Sequence, residues 1–430
     1  MTTTALLTDL YELTMVQASL RSGVADHPSC FELFCRRLPA GRRYGVVAGT
    51  GRLGEAIERF RFDDDDLAYL QSLRIFDEDT LAWFADFRFS GTVEAYREGD
   101  LYFPGSPVVT ARGSFAETVL LETVVLSIFN HASAVAAAAA RMHEVAADRL
   151  LIEMGSRRTH EHAAIEAARA SFLVGFGGTS NLAAGRRYEI PVYGTAAHAY
   201  VLAHRDERTA FDAQLDALGI ETTLLIDTYD ITPGIGEAIA AGRRAGGTPG
   251  GIRIDSGDLG KEAEKARVQL NEAGCEATKI VASGDLDEFS IEALASAPVD
   301  AYGVGTSVVT GSGHPTANMI YKLVAVADRP AGELAPVAKT SLGKATVGGR
   351  KAAYRRLDPQ GVATEELLLV GPAAPPPDTR ALQVPVFAGG ETVYPFDLEA
   401  DREFHAKARA ELPPEARGLG PGDAWLTASL

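Results

Sequence analysis

One pattern recurs along the middle of this chain and narrows what it can fold into. After residue 147, short apolar runs keep stopping at Gly, Ser, Thr, Asp or Arg: "RLLIEMGSRR", "SFLVGFGGTSN", "IPVYGTAAH", "TTLLIDTYD", "GGIRIDSGDLG", "KIVASGDLDE" and "DAYGVGTSVV". Between most of them lies a segment with helical spacing, such as Lys261–Ala273 or Glu288–Ala297. A short buried strand, a polar turn and a helix make a βα unit. Seven such strands predict a barrel or a strongly curved parallel sheet. Folds of this kind bind ligands at the C-terminal ends of their strands, where the polar residues of these runs sit.

The flanks read differently. The first ~20 residues predict a helix with Leu10, Leu13, Thr14 and Gln17 on one face and Gly23 as its stop. From about Phe31 to Ala116 short alternating runs broken by Pro and Gly predict a β-rich region. "SFAETVLLETVVLSIFNHASAVAAAAARMHEVA" then runs without Gly or Pro, as one long buried helix or two abutting ones. From about Pro330 the pattern loosens into short strands, a proline-rich loop at 372–380 and a closing helix. These changes divide the chain into 1–116, a connecting helix at 117–146, a barrel at 147–334 and a final segment at 335–430.

With 430 residues the chain holds two or three domains, and its net charge of −17 argues against a general nucleic-acid surface. Basic residues gathered in one pocket would still suit a phosphorylated small molecule. Cys30, Cys35 and Cys275 are too few and too scattered for a disulfide framework or a zinc site, so a reducing cytoplasm is expected. The N-terminal residues lack the basic start and apolar stretch of a signal peptide. The alanine-rich run Ala132–Ala140 is too short to span a membrane and is followed by Arg141 and His143, so no membrane association is expected.

Several strand-end loops carry chemistry. In "GVGTSVV", Gly303, Gly305 and Thr306 could turn backbone N–H groups and a hydroxyl toward a phosphate, or could simply make a turn. The tetrad S-G-D-L occurs twice, at Ser256–Leu259 and Ser283–Leu286. Gly257 and Gly284 permit close ligand approach, Ser256 adds a hydroxyl, and Asp255, Asp258 and Asp285 can accept from sugar hydroxyls or hold Mg²⁺ through water. The competing reading is helix capping by Ser and Asp. Asp227 of "LLIDTYD" adds another carboxylate at the same mouth. Arg157 and Arg158 suit a carboxylate or phosphate through the planar guanidinium fork, or a surface ion pair with Glu153 or Glu161. His160 and His162 lack the partners of a metal site. "GGTSN", with Thr179, is either a capping cluster or a ligand loop.

"PVYGTAAHAYVLAH" contains two of the chain's nine histidines. Gly194-Thr195 ends a predicted strand and Ala196–His204 reads as the following helix, with His198 in its first turn facing the mouth. His204 lies about 240° further round such a helix, so the two cannot share a metal. A neutral imidazole there is available as a nucleophile or base.

Taken in order, "LLTDLYELTMVQ", "GSRRTHE", "GFGGTSNLAAG", "PVYGTAAHA", "LLIDTYD", "IRIDSGDL", "KIVASGDLDE" and "YGVGTSVV…YKL" resemble the nicotinate phosphoribosyltransferase family, from about Leu7 to Tyr354. The resemblance implies an α/β fold of the type II phosphoribosyltransferase kind, an irregular βα barrel plus an α/β domain built from both chain ends. It implies that nicotinate and phosphoribosyl pyrophosphate give nicotinate mononucleotide and pyrophosphate, with Mg²⁺ and coupled to ATP hydrolysis, a ligase-type coupling in NAD biosynthesis. It implies a phosphohistidine at His198, and a homodimer in which Asp9 and Tyr11 reach the neighbouring active site. On this reading Asp255 and Asp258 serve the ribose, while Tyr11, Arg158 and Thr179 hold nicotinate. Arg253, Ser256, Gly257, Gly284, Asp285, Gly303, Gly305 and Thr306 hold the phosphoribosyl group and its phosphates. No site role is assigned to Ala138, Lys344 or Lys351, where the chain departs from the family pattern. Nicotinamide- or quinolinate-using enzymes of the same fold, and a non-catalytic nucleotide-binding regulator, are the rival readings.

Overall fold

The structure is a computed structural model that describes residues 3–339, 347–371 and 374–430. It divides into two compact units, Met1–Ala137 with His314–Leu430, and Ala138–Gly313. The chain passes from one to the other within the helix Glu122–Ala146.

The second unit is the parallel one. Its six strands are Leu150–Glu153, Gly178–Thr179, Thr223–Leu225, Gly251–Ile254, Lys279–Ser283 and Ala301–Val304, with helices in the connections. In sheet order they run 178–179, 150–153, 301–304, 279–283, 251–254 and 223–225, every pairing parallel. They are short, and mostly buried, as strands covered on both faces must be. Register places Ile152 beside Gly303 and Gly303 beside Ser283, so the loops after these strands begin at one level.

The sequence predicts a seventh strand at "IPVYGTAAH". The structure has instead one parallel bridge there, Val192 to Thr179. Pro191 has no N–H to give a ladder, and the residues from Pro191 to Gly194 are exposed. In "SFLVGFGGTSN" the apolar Phe172 and Leu173 belong to the helix Glu161–Leu173, and only Gly178–Thr179 is strand. The architecture is therefore the irregular βα barrel expected, with its irregularity at this point.

The first unit draws on both chain ends. A seven-stranded sheet runs 335–336, 319–326, 28–35, 109–114, 92–96, 383–388 and 391–392, all antiparallel. Met319–Val326 was expected within the barrel segment ending at 334. It pairs instead with Pro28–Cys35 over seven residue pairs, so the change of unit falls at 313/314. A second sheet joins 379–381, 351–357, 363–370 and 428–429. The helix Leu10–Ser22 ends where predicted, at Gly23 with φ 83°, whose N–H bonds to the Leu20 carbonyl. Its buried stripe is Glu12, Leu13, Val16 and Ser19, while Leu10 is exposed, so the inward face lies about one residue round from the one predicted.

The apolar stretch Phe115–Ala146 is, among the described residues, the one helix long and apolar enough to cross a membrane, and 67% of its most apolar window is buried inside the protein. It breaks briefly between Phe115–Val119 and Glu122–Ala146, the two abutting helices that the sequence allowed.

Arg355 holds the second sheet to the Asp100 loop. Fully buried, it donates to Asp100 at 3.0 Å and to Glu366 and the Leu101 carbonyl at 2.7 Å each. Arg380 binds Asp100 and Glu411 at 2.7 Å, and the Tyr96 hydroxyl donates to Glu366 at 2.8 Å. Removing Glu366 takes the shared acceptor from two buried donors, the Arg355 guanidinium and the Tyr96 hydroxyl, and breaks a buried ion pair. Glu366→Ala is therefore expected to lower stability by about 3–5 kcal/mol, read as a lower urea midpoint.

Candidate active site

The strand ends of the barrel enclose a cavity of about 220 Å³. Four strand ends supply its wall: Met154, Arg157 and Arg158 after the first strand, Arg253 and Asp255 on and after the fourth, Ser283, Gly284 and Asp285 on and after the fifth, and Gly303, Gly305 and Thr306 on and after the sixth. Three guanidinium groups and two carboxylates thus share one small space in a chain that is acidic overall.

The loops are tied laterally through carboxylates. One Asp227 oxygen accepts from the Asp255 N–H at 2.8 Å and from the Ser256 hydroxyl at 2.7 Å. Asp255 in turn accepts from the Ser283 hydroxyl at 2.5 Å. The other Asp227 oxygen is buried without a hydrogen-bond partner. On the opposite flank, buried Glu153 accepts from the Gly155 N–H and from the Thr179 hydroxyl, and burial pushes its carboxyl above the usual range.

Gly284 has φ 106°, and a Cβ there would stand 2.4 Å from the Asp255 carbonyl oxygen, so glycine is required on both counts. Asp285 follows with φ 47°, an uncommon conformation for a residue with a side chain, and it is exposed to the cavity.

The two S-G-D-L tetrads part company here. Asp258 of the first caps the helix Leu259–Glu272, accepting from the Lys261 N–H and pairing with the Lys261 ammonium at 2.8 Å. It does not line the cavity, and neither do Ser256, whose hydroxyl is committed to Asp227, or Gly257, which turns the chain with φ 81°. For Asp258 the capping reading describes the structure. After the second tetrad the cap is Asp287, the next residue along, which leaves Asp285 free to face the cavity.

Arg253 is mostly desolvated. Burial, reinforced by the charge of Arg157, draws its guanidinium below the ordinary value, while Asp255 and Asp227 oppose that shift. Its Nη1 donates to the Thr195 hydroxyl at 2.5 Å, and its Nε is buried without a partner.

His198 opens a helix of five residues, His198–Leu202, shorter than predicted, with Ala197 as N-cap. Its Nδ1 lies 3.2 Å from the Thr228 hydroxyl. It stands outside the cavity wall, three residues beyond Thr195. His204 bonds the Tyr200 carbonyl at 2.8 Å and is scaffold. His160 is exposed and caps the helix Glu161–Leu173.

Thr179 is buried on Glu153 and away from the cavity surface. Asp9 and Tyr11 lie in the first unit, at the start of the helix Leu10–Ser22. Tyr11 is 45% exposed, and partial burial with the Glu122 carboxylate lifts its phenol to about 12. Lys344 lies outside the described residues, and Lys351 is buried in an ion pair with Glu32 at 2.7 Å.

Sequence reasoning undervalued four residues. Ser283 and Asp227 build the lateral ties, Glu153 anchors the first loop, and Thr195 receives Arg253. The signal for Ser283 was its place in the second tetrad. The others carried none beyond standing at strand ends.

Comparison with known proteins places the chain in a family. Residues 6–130 match the model of the nicotinate phosphoribosyltransferase N-terminal domain, and residues 150–351 match that of the nicotinate phosphoribosyltransferase family. The chain is 55% identical to a nicotinate phosphoribosyltransferase of Mycobacterium tuberculosis, over 97% of this chain and 93% of that one. It is 40% identical to the Bacillus subtilis nicotinate phosphoribosyltransferase, over 82% and 73%. Among solved structures it resembles human nicotinic acid phosphoribosyltransferase, with a TM-score of 0.84 and 27% identity over 98% and 97% of the two chains. The chain belongs to the nicotinate phosphoribosyltransferase family.

Proposed function

We propose that this protein joins nicotinate to phosphoribosyl pyrophosphate, forming nicotinate mononucleotide and pyrophosphate, in an ATP-coupled step of NAD biosynthesis. The observation that carries the reading is the cavity itself, in which three arginines, two aspartates and glycine-edged strand ends converge in a member of this family. The nicotinate ring nitrogen attacks the anomeric carbon, the bond from that carbon to the pyrophosphate oxygen breaks, and pyrophosphate leaves with the electron pair. Positive charge builds on the ribose as this happens, and Asp255 and Asp285 are the carboxylates beside it. Gly303, Gly305 and Thr306 receive the 5′-phosphate, while Arg157, Arg158 and Arg253 serve the nicotinate carboxylate and phosphate oxygens. Tyr11 offers a flat face to the pyridine ring.

We assign magnesium as an ion carried by the substrate's phosphates. Asp255 and Asp285 would hold it through its water shell. Magnesium, when bound, offsets the charge that develops on pyrophosphate.

The transfer needs no ATP for its chemistry. His198 is the proposed energy coupler: an imidazole nitrogen takes the γ-phosphoryl group, ADP leaves, and water later cleaves the N–P bond. Its half-exposed position, three residues along the chain from the Thr195 hydroxyl that accepts from cavity-lining Arg253, supports that role. We further assign the protein to the cytoplasm, as a homodimer in which Asp9 and Tyr11 serve the neighbouring site. Three free buried cysteines support a reducing compartment, and the exposed Leu7, Leu10 and Tyr11 support an N-terminal contact surface.

With phosphoribosyl pyrophosphate and Mg²⁺ present, nucleotide is expected to form from nicotinate and to be stimulated by ATP. Product from nicotinamide or quinolinate instead, or no product, overturns the reading. His198→Ala is expected to abolish both ATP hydrolysis and the benefit of ATP while leaving slow transfer, measured as product formed with and without ATP. ATP coupling that survives this substitution removes the phosphohistidine.

A further inference from the structure

Energy coupling requires that a change at His198 be felt by groups that hold substrate, and His198 does not line the cavity. Two side-chain bonds tie its loop to the strand ends. His198 Nδ1 lies 3.2 Å from Thr228 Oγ1, and Thr195 Oγ1 accepts from Arg253 Nη1 at 2.5 Å. Between them the loop has little else. Gly194 is exposed, a Cβ on it would meet nothing within 4 Å, and residues 194–197 form neither helix nor strand. The Thr195 hydroxyl spends its own hydrogen locally, on the Ala196 carbonyl at 3.3 Å, so its acceptor site belongs to Arg253.

Arg253 is the one cavity-lining residue with a hydrogen bond to this loop among the described contacts. Its Nε is buried and unpartnered, so the guanidinium has donor capacity to spare. A desolvated arginine responds strongly to charge nearby, because screening there is weak.

We propose that Thr195 is the positioning residue that transmits the state of His198 to the substrate cavity through Arg253. The inference rests on the phosphohistidine reading above. With His198 unmodified, Thr195 holds Arg253 toward the loop. A dianionic phosphoryl group on His198, three residues away, competes with Thr195 for the guanidinium. Arg253 then presents a different set of donors to the phosphates in the cavity. Two arrangements of one arginine, biased from both sides, constitute a coupling element.

The test compares wild type, Thr195→Val and Thr195→Ser. For each, KM for phosphoribosyl pyrophosphate is measured with and without ATP, and incorporation of label from γ-labelled ATP into His198 is followed. ATP is expected to lower the wild-type KM about 5–150-fold. In Thr195→Val that ratio is expected to fall to within about twofold of unity while His198 still takes the label, and Thr195→Ser, which keeps the hydroxyl, is expected to restore it. A Thr195→Val protein that keeps the wild-type ratio overturns the role of Thr195 and leaves the phosphohistidine standing. Loss of labelling in Thr195→Val, or failure of Thr195→Ser to restore the ratio, also overturns it, since the residue would then serve only loop structure. A wild type that shows no label on His198 overturns the phosphohistidine reading and this inference with it.

Discussion

The site depends on one buried carboxylate. Asp227, at the end of the shortest of three adjacent strands, reaches sideways to the Asp255 N–H and the Ser256 hydroxyl, and Asp255 passes the tie on to Ser283. Each bond has a charged acceptor, the kind that contributes about 1.5–3 kcal/mol. The strands concerned have three, four and five residues, too few for their ladders alone to orient the loops beyond them. These side-chain bonds put Asp255, Ser283 and Gly284 at one level and leave Asp285 pointing into the cavity. Asp227 is buried, and its second oxygen has no hydrogen-bond partner among the described contacts.

Charge distribution suits the cavity to the anionic ligand proposed for it. A net charge of −17 repels phosphates at long range, so attraction must be local. Arg157, Arg158 and Arg253 supply it, the first two exposed and Arg253 where water is partly excluded and each interaction counts for more. Glycines on the wall let backbone approach the ligand, and at Gly284 no other residue fits. Arg253 stands apart from the other two because it also bonds the loop that leads to His198.

Much of this was legible in the sequence because strand ends declare themselves. Short apolar runs closing on Gly, Ser, Asp and Arg placed Arg158, Arg253, Asp255, Gly284, Asp285, Gly303, Gly305 and Thr306 around one mouth, and all eight line the cavity. The repeated S-G-D-L was misleading, since identical tetrads serve different ends. Asp258 caps a helix, whereas beyond the second tetrad Asp287, two residues after Asp285, takes the cap and frees Asp285. Sequence spacing does not say which acid within a turn will meet the helix N–H groups. Thr179 was hidden for a related reason: its hydroxyl is claimed by Glu153, a partner 26 positions away. The missing strand at Val192 and the reassignment of Met319–Val326 to the antiparallel sheet both turn on long-range pairing that local periodicity does not encode.

The central claim is that the barrel-mouth cavity holds the phosphoribosyl group. A crystal structure of the protein with nicotinate mononucleotide tests it most directly. The account predicts the 5′-phosphate against Gly303, Gly305 and Thr306, the ribose beside Asp255 and Asp285, and the pyridine carboxylate on an arginine of the cavity wall. Nucleotide bound elsewhere on the protein, with that cavity left empty, would contradict it.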